Sequence, residues 1–436
     1  MSETKKKFRL TLGRQVLIAA VIGIIAGLIL GEKAQHVKII GDLILRILQM
    51  PVILLIMGVI AEAVGSVSPK QLGRIGVKTL ILFAVSTAIA AVIGIGVAFL
   101  FKPGNMLIGE AAGITEMETT AYTIPEASSA RDQFLSYFST NMFNSMSSGN
   151  TVQCLLVAIM FGVTLSIYGA KHENNPVLTG LKHVNAIVLE MVALFVKMIP
   201  FAVFSFFTYA LGVIGPKLLG TLAYLIVADV VGTLIMFILY MLITCAYCKV
   251  NPIRFVKNSL NTVAIALSTS SSAATLPAKM TDGEEKFGVS PLVNRLVAPL
   301  GSTMNTDGAV FCYGLYCIVI CQIFQIPITG ALIFNIIVSA TLLSFGSITV
   351  SGGGFIMFGM VLASVGLPTA GMVIIAPADN TILGRVRCVV NCIDDTMIGM
   401  IVAKSEGEFD PDIYNGTKAF DPNGPVSYCH HHEAEA

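Results

Sequence analysis

Residues 268–277 read Ser268-Thr269-Ser270-Ser271-Ser272-Ala273-Ala274-Thr275-Leu276-Pro277. This small, polar run sits between two apolar arms of about 12 residues each, and a helix that crosses a bilayer needs about 20 mostly apolar residues. Neither arm spans alone. The pattern predicts a re-entrant hairpin, a chain that enters the membrane and turns back inside it. Ser344-Phe345-Gly346-Ser347-Ile348-Thr349-Val350-Ser351-Gly352-Gly353-Gly354 repeats the design. Each tip presents backbone N–H groups at a helix N-terminus, which suits an anionic ligand.

Two further polar clusters accompany the hairpins. Asn305-Thr306-Asp307-Gly308 interrupts an apolar run. A regular helix would splay Asn305 and Asp307 onto different faces. An unwound turn lets them converge and frees backbone carbonyls, and carbonyls with a carboxylate suit a hard cation such as Na⁺. The last cluster is Arg385-Val386-Arg387-Cys388-Val389-Val390-Asn391-Cys392-Ile393-Asp394-Asp395. Residues four apart share a helix face, so Arg387, Asn391 and Asp395 form one stripe with Cys388 beside it. Arg385 points nearly the opposite way. A cation, an amide and an anion on one face can hold an anionic ligand at one end and a cation at the other. Hairpin, broken helix, hairpin, polar helix is one unit used twice, as inverted-repeat carriers are built. Ser- and Gly-rich runs are also ordinary packing surfaces. Asp307, Arg387 and Asp395 among four such runs favour a site, because charges in hydrocarbon are costly.

Composition agrees. Of 436 residues, 55% are hydrophobic and only 12% are charged, against about 25% charged in average soluble domains. Mean hydropathy is +0.81. These values exclude an ordinary soluble enzyme and a disordered chain. The net charge of +1 gives no reason to expect nucleic acid. Most of the nine cysteines lie in apolar runs and behave as small hydrophobes. Cys245 and Cys248 form a lone C-x-x-C, a weak metal signal. Cys429-His430-His431-His432 reads equally as a weak metal site or a solvated tail.

Apolar stretches at 12–31, 42–66, 77–101, 150–170, 184–213, 217–246, 293–323 and 370–404 predict an all-α polytopic membrane protein with eight spans and two re-entrant hairpins. Lys5, Lys6, Lys7, Arg9 and Arg14 put the N-terminus in the cytoplasm, and Lys404 ends the last span on the same side. The acidic segment within 102–148 faces outside. A multi-pass protein of the inner or plasma membrane, with both termini cytoplasmic, is expected. Gly23, Gly27 and Gly31 permit close helix approach, within one subunit or between subunits.

Thr275-Leu276-Pro277, Asn305-Thr306-Asp307-Gly308 and the Arg387, Asn391, Asp395 stripe together resemble the dicarboxylate/amino acid:cation symporter family, which includes glutamate transporters and C4-dicarboxylate carriers. The likeness runs from the first span to Lys404. It implies a homotrimer working by an elevator mechanism. The scaffold would be 1–76 and 150–216; the transport domain, 77–104 and 217–404; the extracellular loop, 105–149; and the cytoplasmic tail, 405–436. It implies Na⁺, with H⁺ the alternative, as the coupling ion and no other cofactor. Asn305, Asn391, Asp395 and the Gly301 carbonyl match one Na⁺ site. Thr303, Ser344, Phe345 and Ser347 match a second. Ser86, Thr87, Asn305 and Asp307 match a third, with Phe83 where the family has tyrosine. Substrate contacts fall at Ser272, Val350, Gly354, Arg387, Cys388 and Asn391.

The departures bear on substrate. Ala309 and Cys388 replace threonines, Ser270 stands where some members have arginine, and Ser351 where proline is common. Arg385 matches the compensating arginine of other members. Gly384 stands where an Asp holds a substrate amino group. Arg387 still calls for a carboxylate. An ammonium left unpaired near Gly384 would cost several kcal/mol, roughly. A dicarboxylate without an amino group is therefore favoured. An acidic or neutral amino acid is the alternative, served by Asp394 or hairpin carbonyls, and an anion channel is a distant one. No His lies inside a predicted span and no H-E-x-x-H occurs, so an enzyme is not expected.

Overall fold

The computed structural model describes residues 12–66, 72–107, 135, 138–148, 151–172, 175–213, 215–346, 353–368, 371–372, 375 and 383–421. The described chain is almost wholly helical, with one isolated bridge between Val289 and Phe409. In chain order the helices are α1 (Leu12–Leu30), α2 (Lys38–Gln49), α3 (Val52–Gly65), α4 (Val77–Phe101), α5 (Met142–Ser147) and α6 (Thr151–Lys171). Next come α7 (Pro176–Val196), α8 (Ile199–Val213), α9 (Lys217–Cys248), α10 (Pro252–Thr269), α11 (Ser272–Glu285) and α12 (Pro291–Met304). The chain continues with α13 (Asp307–Ile323), α14 (Gly330–Ser344), α15 (Gly353–Ser364), α16 (Gly384–Glu406) and α17 (Pro411–Asn415).

Among the described residues, six helical stretches are long and apolar enough to cross a membrane. The outward face of α1 is apolar: Leu17, Val21, Ile25 and Ile29 are exposed, whereas the Pro291–Ile323 stretch is almost wholly buried. A helix hides its own backbone polar groups, so such a face is stable against lipid.

Two predicted spans are each two helices. The 42–66 stretch breaks at Met50–Pro51, between α2 and α3. The 184–213 stretch begins earlier, at Pro176, and breaks at Lys197–Met198. Proline lacks an N–H and crowds the carbonyl four residues back, so Pro51 and Pro200 explain both interruptions. The 370–404 stretch is represented by α16; residues 376–382 lie outside the described residues.

Packing divides the helices into two groups. α1 lies on α8, and α3 on α6 and α7. Gly23 and Gly27 make the first of these contacts possible: an added Cβ would lie 2.7 Å from the Phe204 carbonyl oxygen and 2.6 Å from that of Thr208. Their spacing therefore serves packing within one chain. Gly31 has open space around it. In the second group α13 is central and packs on α4, α14 and α16, while α16 packs on α9, α10, α11 and α12. Nearly every residue of α13 is buried. The main contacts between the groups are those of α14 and α15 with α6.

Residues 405–421 are packed against the rest of the protein. Glu406 pairs with Lys78 at the start of α4. Tyr414 is fully buried; its hydroxyl donates to the Asn251 carbonyl at 2.8 Å, and its own carbonyl accepts from Asn258 Nδ2 at 3.1 Å. This short segment ties the base of α10 to the end of α16.

Candidate functional site

The 268–277 run forms the tip of a helical hairpin. α10 ends at Ser270 in the left-handed region (φ +50°), and Ser271 caps α11 by accepting the Ala274 N–H at 3.3 Å. Opposite it the long apolar run at 291–323 is broken, as the sequence predicts. Between α12 and α13, Asn305 is extended (φ −125°, ψ 106°) and Thr306 leaves the helical region (φ −131°, ψ 56°). The opened turn is held by neighbours: the Thr306 N–H donates to Ser344 Oγ at 3.0 Å, and the Gly308 N–H donates to Asn391 Oδ1 at 2.8 Å.

Around this break lies a dense polar cluster. Thr87 Oγ1 donates to Asp307 Oδ1 at 2.6 Å and approaches Asn305 Oδ1 at 3.3 Å. Asn305 Nδ2 donates to Asp394 Oδ2 at 2.9 Å and to Asp395 Oδ1 at 3.1 Å. Asp307, Asp394 and Asp395 are 0%, 2% and 2% exposed. Asp307 Oδ2 is buried with no hydrogen-bond partner among the described residues. A buried carboxylate oxygen without a donor is costly unless a cation meets it.

The expected site residues are largely brought together. Ser86 lies one position before Thr87, but its hydroxyl turns back to the Phe83 carbonyl at 3.2 Å. What it offers the cluster is its carbonyl, which accepts from Tyr240 Oη of α9 at 2.5 Å. Thr303 Oγ1 bonds back to the Leu300 carbonyl at 3.0 Å. Ser344 touches the break directly, and Phe345 ends α14 beside it. Ser347 and Val350 lie outside the described residues.

On α16, Arg387, Cys388 and Asn391 are buried as one stripe, while Arg385 is exposed and donates to the Leu267 carbonyl at 3.3 Å. Gly354 of α15 closes on the stripe: an added Cβ there would lie 2.8 Å from Arg387 Nη2. Tyr313 Oη donates to the Gly354 carbonyl at 3.1 Å. Ser272 is buried at the α11 tip, and Cys388 packs with Ala266 and Cys392. Asp394 sits on Asn305. About seven residues, or roughly 10 Å of helix rise, separate it from Arg387.

Two participants escape a motif-based reading. Lys279 is 1% exposed and ion-pairs with Asp395. Its signal is helical spacing, since Ser272, Thr275, Lys279 and Asp282 fall on one buried face of α11. Tyr240 belongs to the same face of α9 as the buried Asp229, three turns earlier. Its hydroxyl reaches the Ser86 carbonyl of α4 from a different helix. Among the described residues no group of three His, Cys, Asp or Glu side chains is placed to hold a transition metal. Cys245 and Cys248 are buried without a second pair.

Comparison with known proteins fits this geometry. The model of the sodium:dicarboxylate symporter family matches residues 12–405. A proton/sodium-glutamate symport protein of Bacillus caldotenax is 29% identical over 408 residues, covering 92% of this chain and 96% of that protein. A C4-dicarboxylate transport protein of Bordetella avium is 28% identical over 410 residues, covering 93% and 91%. Another, from Bacillus subtilis, is 29% identical over 404 residues, covering 91% and 94%. With a match that runs from α1 to the end of α16 and takes in both helix breaks and the polar stripe, this chain belongs to the sodium:dicarboxylate symporter family.

Proposed function

We propose that this membrane protein takes up a dicarboxylate by symport with Na⁺. Cation-coupled carboxylate symport, rather than an enzymatic reaction, follows from the family. The choice of substrate and the roles of individual residues are our reading. The observation that carries it is Asp307 Oδ2, a buried carboxylate oxygen left without a donor beside a broken helix. Ser86, Thr87, Asn305 and Asp307 surround that position as one Na⁺ site. Thr303, Ser344, Phe345 and Ser347 form a second through carbonyls and hydroxyls.

Arg387 grips one substrate carboxylate, and the hairpin tips, through Ser272, Val350 and Gly354, hold the other. Cys388 and Asn391 line the space between. Gly384 offers no acid to a substrate ammonium, and Asp394 is too far along α16 to replace one. Both points favour a dicarboxylate over an amino acid.

The packing supports assigning α4 and α9 to α16 to a moving transport domain, and α1 to α3 and α6 to α8 to a scaffold. With the hairpins counted apart, eight spans result. The scaffold forms the homotrimer contact in this reading, both termini face the cytoplasm, and the transport domain slides as an elevator. Uptake of labelled succinate and of aspartate into proteoliposomes, with Na⁺, K⁺ or a pH gradient, tests it. Na⁺-driven succinate uptake is expected, weakened at least tenfold in Na⁺ affinity by Asp307→Asn, about the scale of one charge-assisted contact. Equal uptake with K⁺ and no gradient would remove the symport reading.

A further inference from the structure

Four groups are expected to hold one of the cations: Asp395, Asn305, Asn391 and the Gly301 carbonyl. In this chain each is already engaged. Asp395 Oδ2 is paired with the Lys279 ammonium, which also donates to Ser302 Oγ at 2.6 Å. Asp395 Oδ1 accepts from Asn305 Nδ2 at 3.1 Å, so Asn305 turns a donor toward this position. Asn391 Oδ1 is taken by the Gly308 N–H at 2.8 Å, and the Gly301 carbonyl by the Asn305 N–H at 2.9 Å. The carboxylate is pressed against α12; a Cβ on Gly301 would lie 2.2 Å from Asp395 Oδ1. Asp307 is the contrast, with one oxygen bound to Thr87 and the other unpartnered.

We infer that the Lys279 ammonium is a built-in occupant of the Asp395 cation position, so that this chain binds no Na⁺ there. The inference rests on the Na⁺-site reading given above. A cation attached to the chain compensates Asp395 as an ion would, and Ser302 supplies the oxygen that completes its coordination. It also returns with the empty carrier. It therefore adds nothing to the driving force, and substrate uptake is coupled to fewer Na⁺ ions than the full set of sites would allow.

The probe is Na⁺ itself, on the purified full-length protein. Melting temperature is followed against Na⁺ at constant ionic strength, with K⁺ as the balancing ion. The Na⁺ dependence of succinate affinity is measured alongside. Lys279→Met should create a new Na⁺ dependence, steepening the response by about one ion per substrate. Lys279→Met combined with Asp395→Asn, which leaves two uncharged groups, should return to the wild-type slope. If Lys279→Met folds only in high Na⁺ and not in K⁺, that rescue is the expected result. Lys279→Gln, which keeps a donor of similar length, provides the second variant. A Lys279→Met protein as insensitive to added Na⁺ as wild type, or a double variant that has lost a Na⁺ wild type still binds, overturns the inference. A wild type indifferent to Na⁺ beside a Na⁺-dependent Lys279→Met removes the Na⁺ reading of the wild type while supporting the built-in cation. Indifference in both overturns both.

Discussion

At the scale of single residues, this protein concentrates its charge in a few buried positions. Arg387 has one role in the reading above, to meet a substrate carboxylate, and its planar fork suits that role better than a lysine would. Arg387→Ala should weaken dianion binding by about ten- to a hundredfold, the worth of one or two charge-assisted hydrogen bonds. Isothermal titration with succinate in saturating Na⁺ checks it. Gly384→Asp is expected to move preference toward aspartate, because it restores an acid one turn from Arg387 on the same helix. A wild type that already prefers aspartate to succinate would show that another group meets the ammonium. Asp395→Asn has a different signature from Asp307→Asn. It strands the Lys279 ammonium in a buried position, and breaking such a pair costs about 3–5 kcal/mol. A large fall in melting temperature is expected for Asp395→Asn, partly recovered when Lys279→Met is added. Asp307→Asn should change Na⁺ affinity with less effect on melting.

At the scale of elements, the close approach of α4 to α13 places Thr87 beside Asp307. Gly94 makes that approach possible, since a Cβ there would sit 2.0 Å from the Phe311 carbonyl oxygen. Gly94→Leu should push the two helices apart. Overpacking of this kind costs roughly 1–3 kcal/mol, and the loss of the Thr87–Asp307 contact adds a weakened Na⁺ response. Thermal unfolding and Na⁺ titration of the same sample read both effects. Outside the membrane, α17 is fastened by Asp410. Burial alone would raise its carboxyl, but Lys418 at 2.8 Å and the backbone N–H groups of Ile413 and Asp412 outweigh it and hold it below the usual range. A depressed folded value means that the stabilisation is present above the unfolded value, about pH 3.9, and is lost as pH falls through the lower folded one. Asp410→Asn should therefore destabilise at neutral pH and flatten the acid limb of the stability curve. A melting series from about pH 3 to pH 7 tests the sign.

At the scale of the whole molecule, the two helix groups meet chiefly where α14 and α15 cross α6. If one group slides past the other, a covalent tether between α6 and α14 should stop uptake while leaving substrate-dependent thermal stabilisation in place. A tether between α1 and α8, which belong to one group, should leave uptake intact. Loss of binding with the first tether, or full uptake through it, would argue against sliding at this contact. The Lys78–Glu406 pair and the buried Tyr414 bind the first and last elements of the second group together, so they are expected to move as one body.

The sequence by itself determined the membrane class, the hairpin tip at Ser270–Ser271, the break at Asn305–Thr306 and the polar stripe of α16. All of these follow from local rules: apolar length, helical period, and the cost of charge in hydrocarbon. It also placed Gly23 and Gly27 at a helix contact without deciding whose. Tertiary structure alone decided the partners. Lys279 and Asp395 are 116 positions apart, as are no two members of any one motif, and only the packing of α11 against α16 joins them. Tyr240 reaches Ser86 across 154 positions for the same reason. Spacing along one helix fixes which side chains share a face. Which face of another helix lies opposite is fixed by burial of the whole, and that is what assembles the polar cluster around Asp307, Asp394 and Asp395.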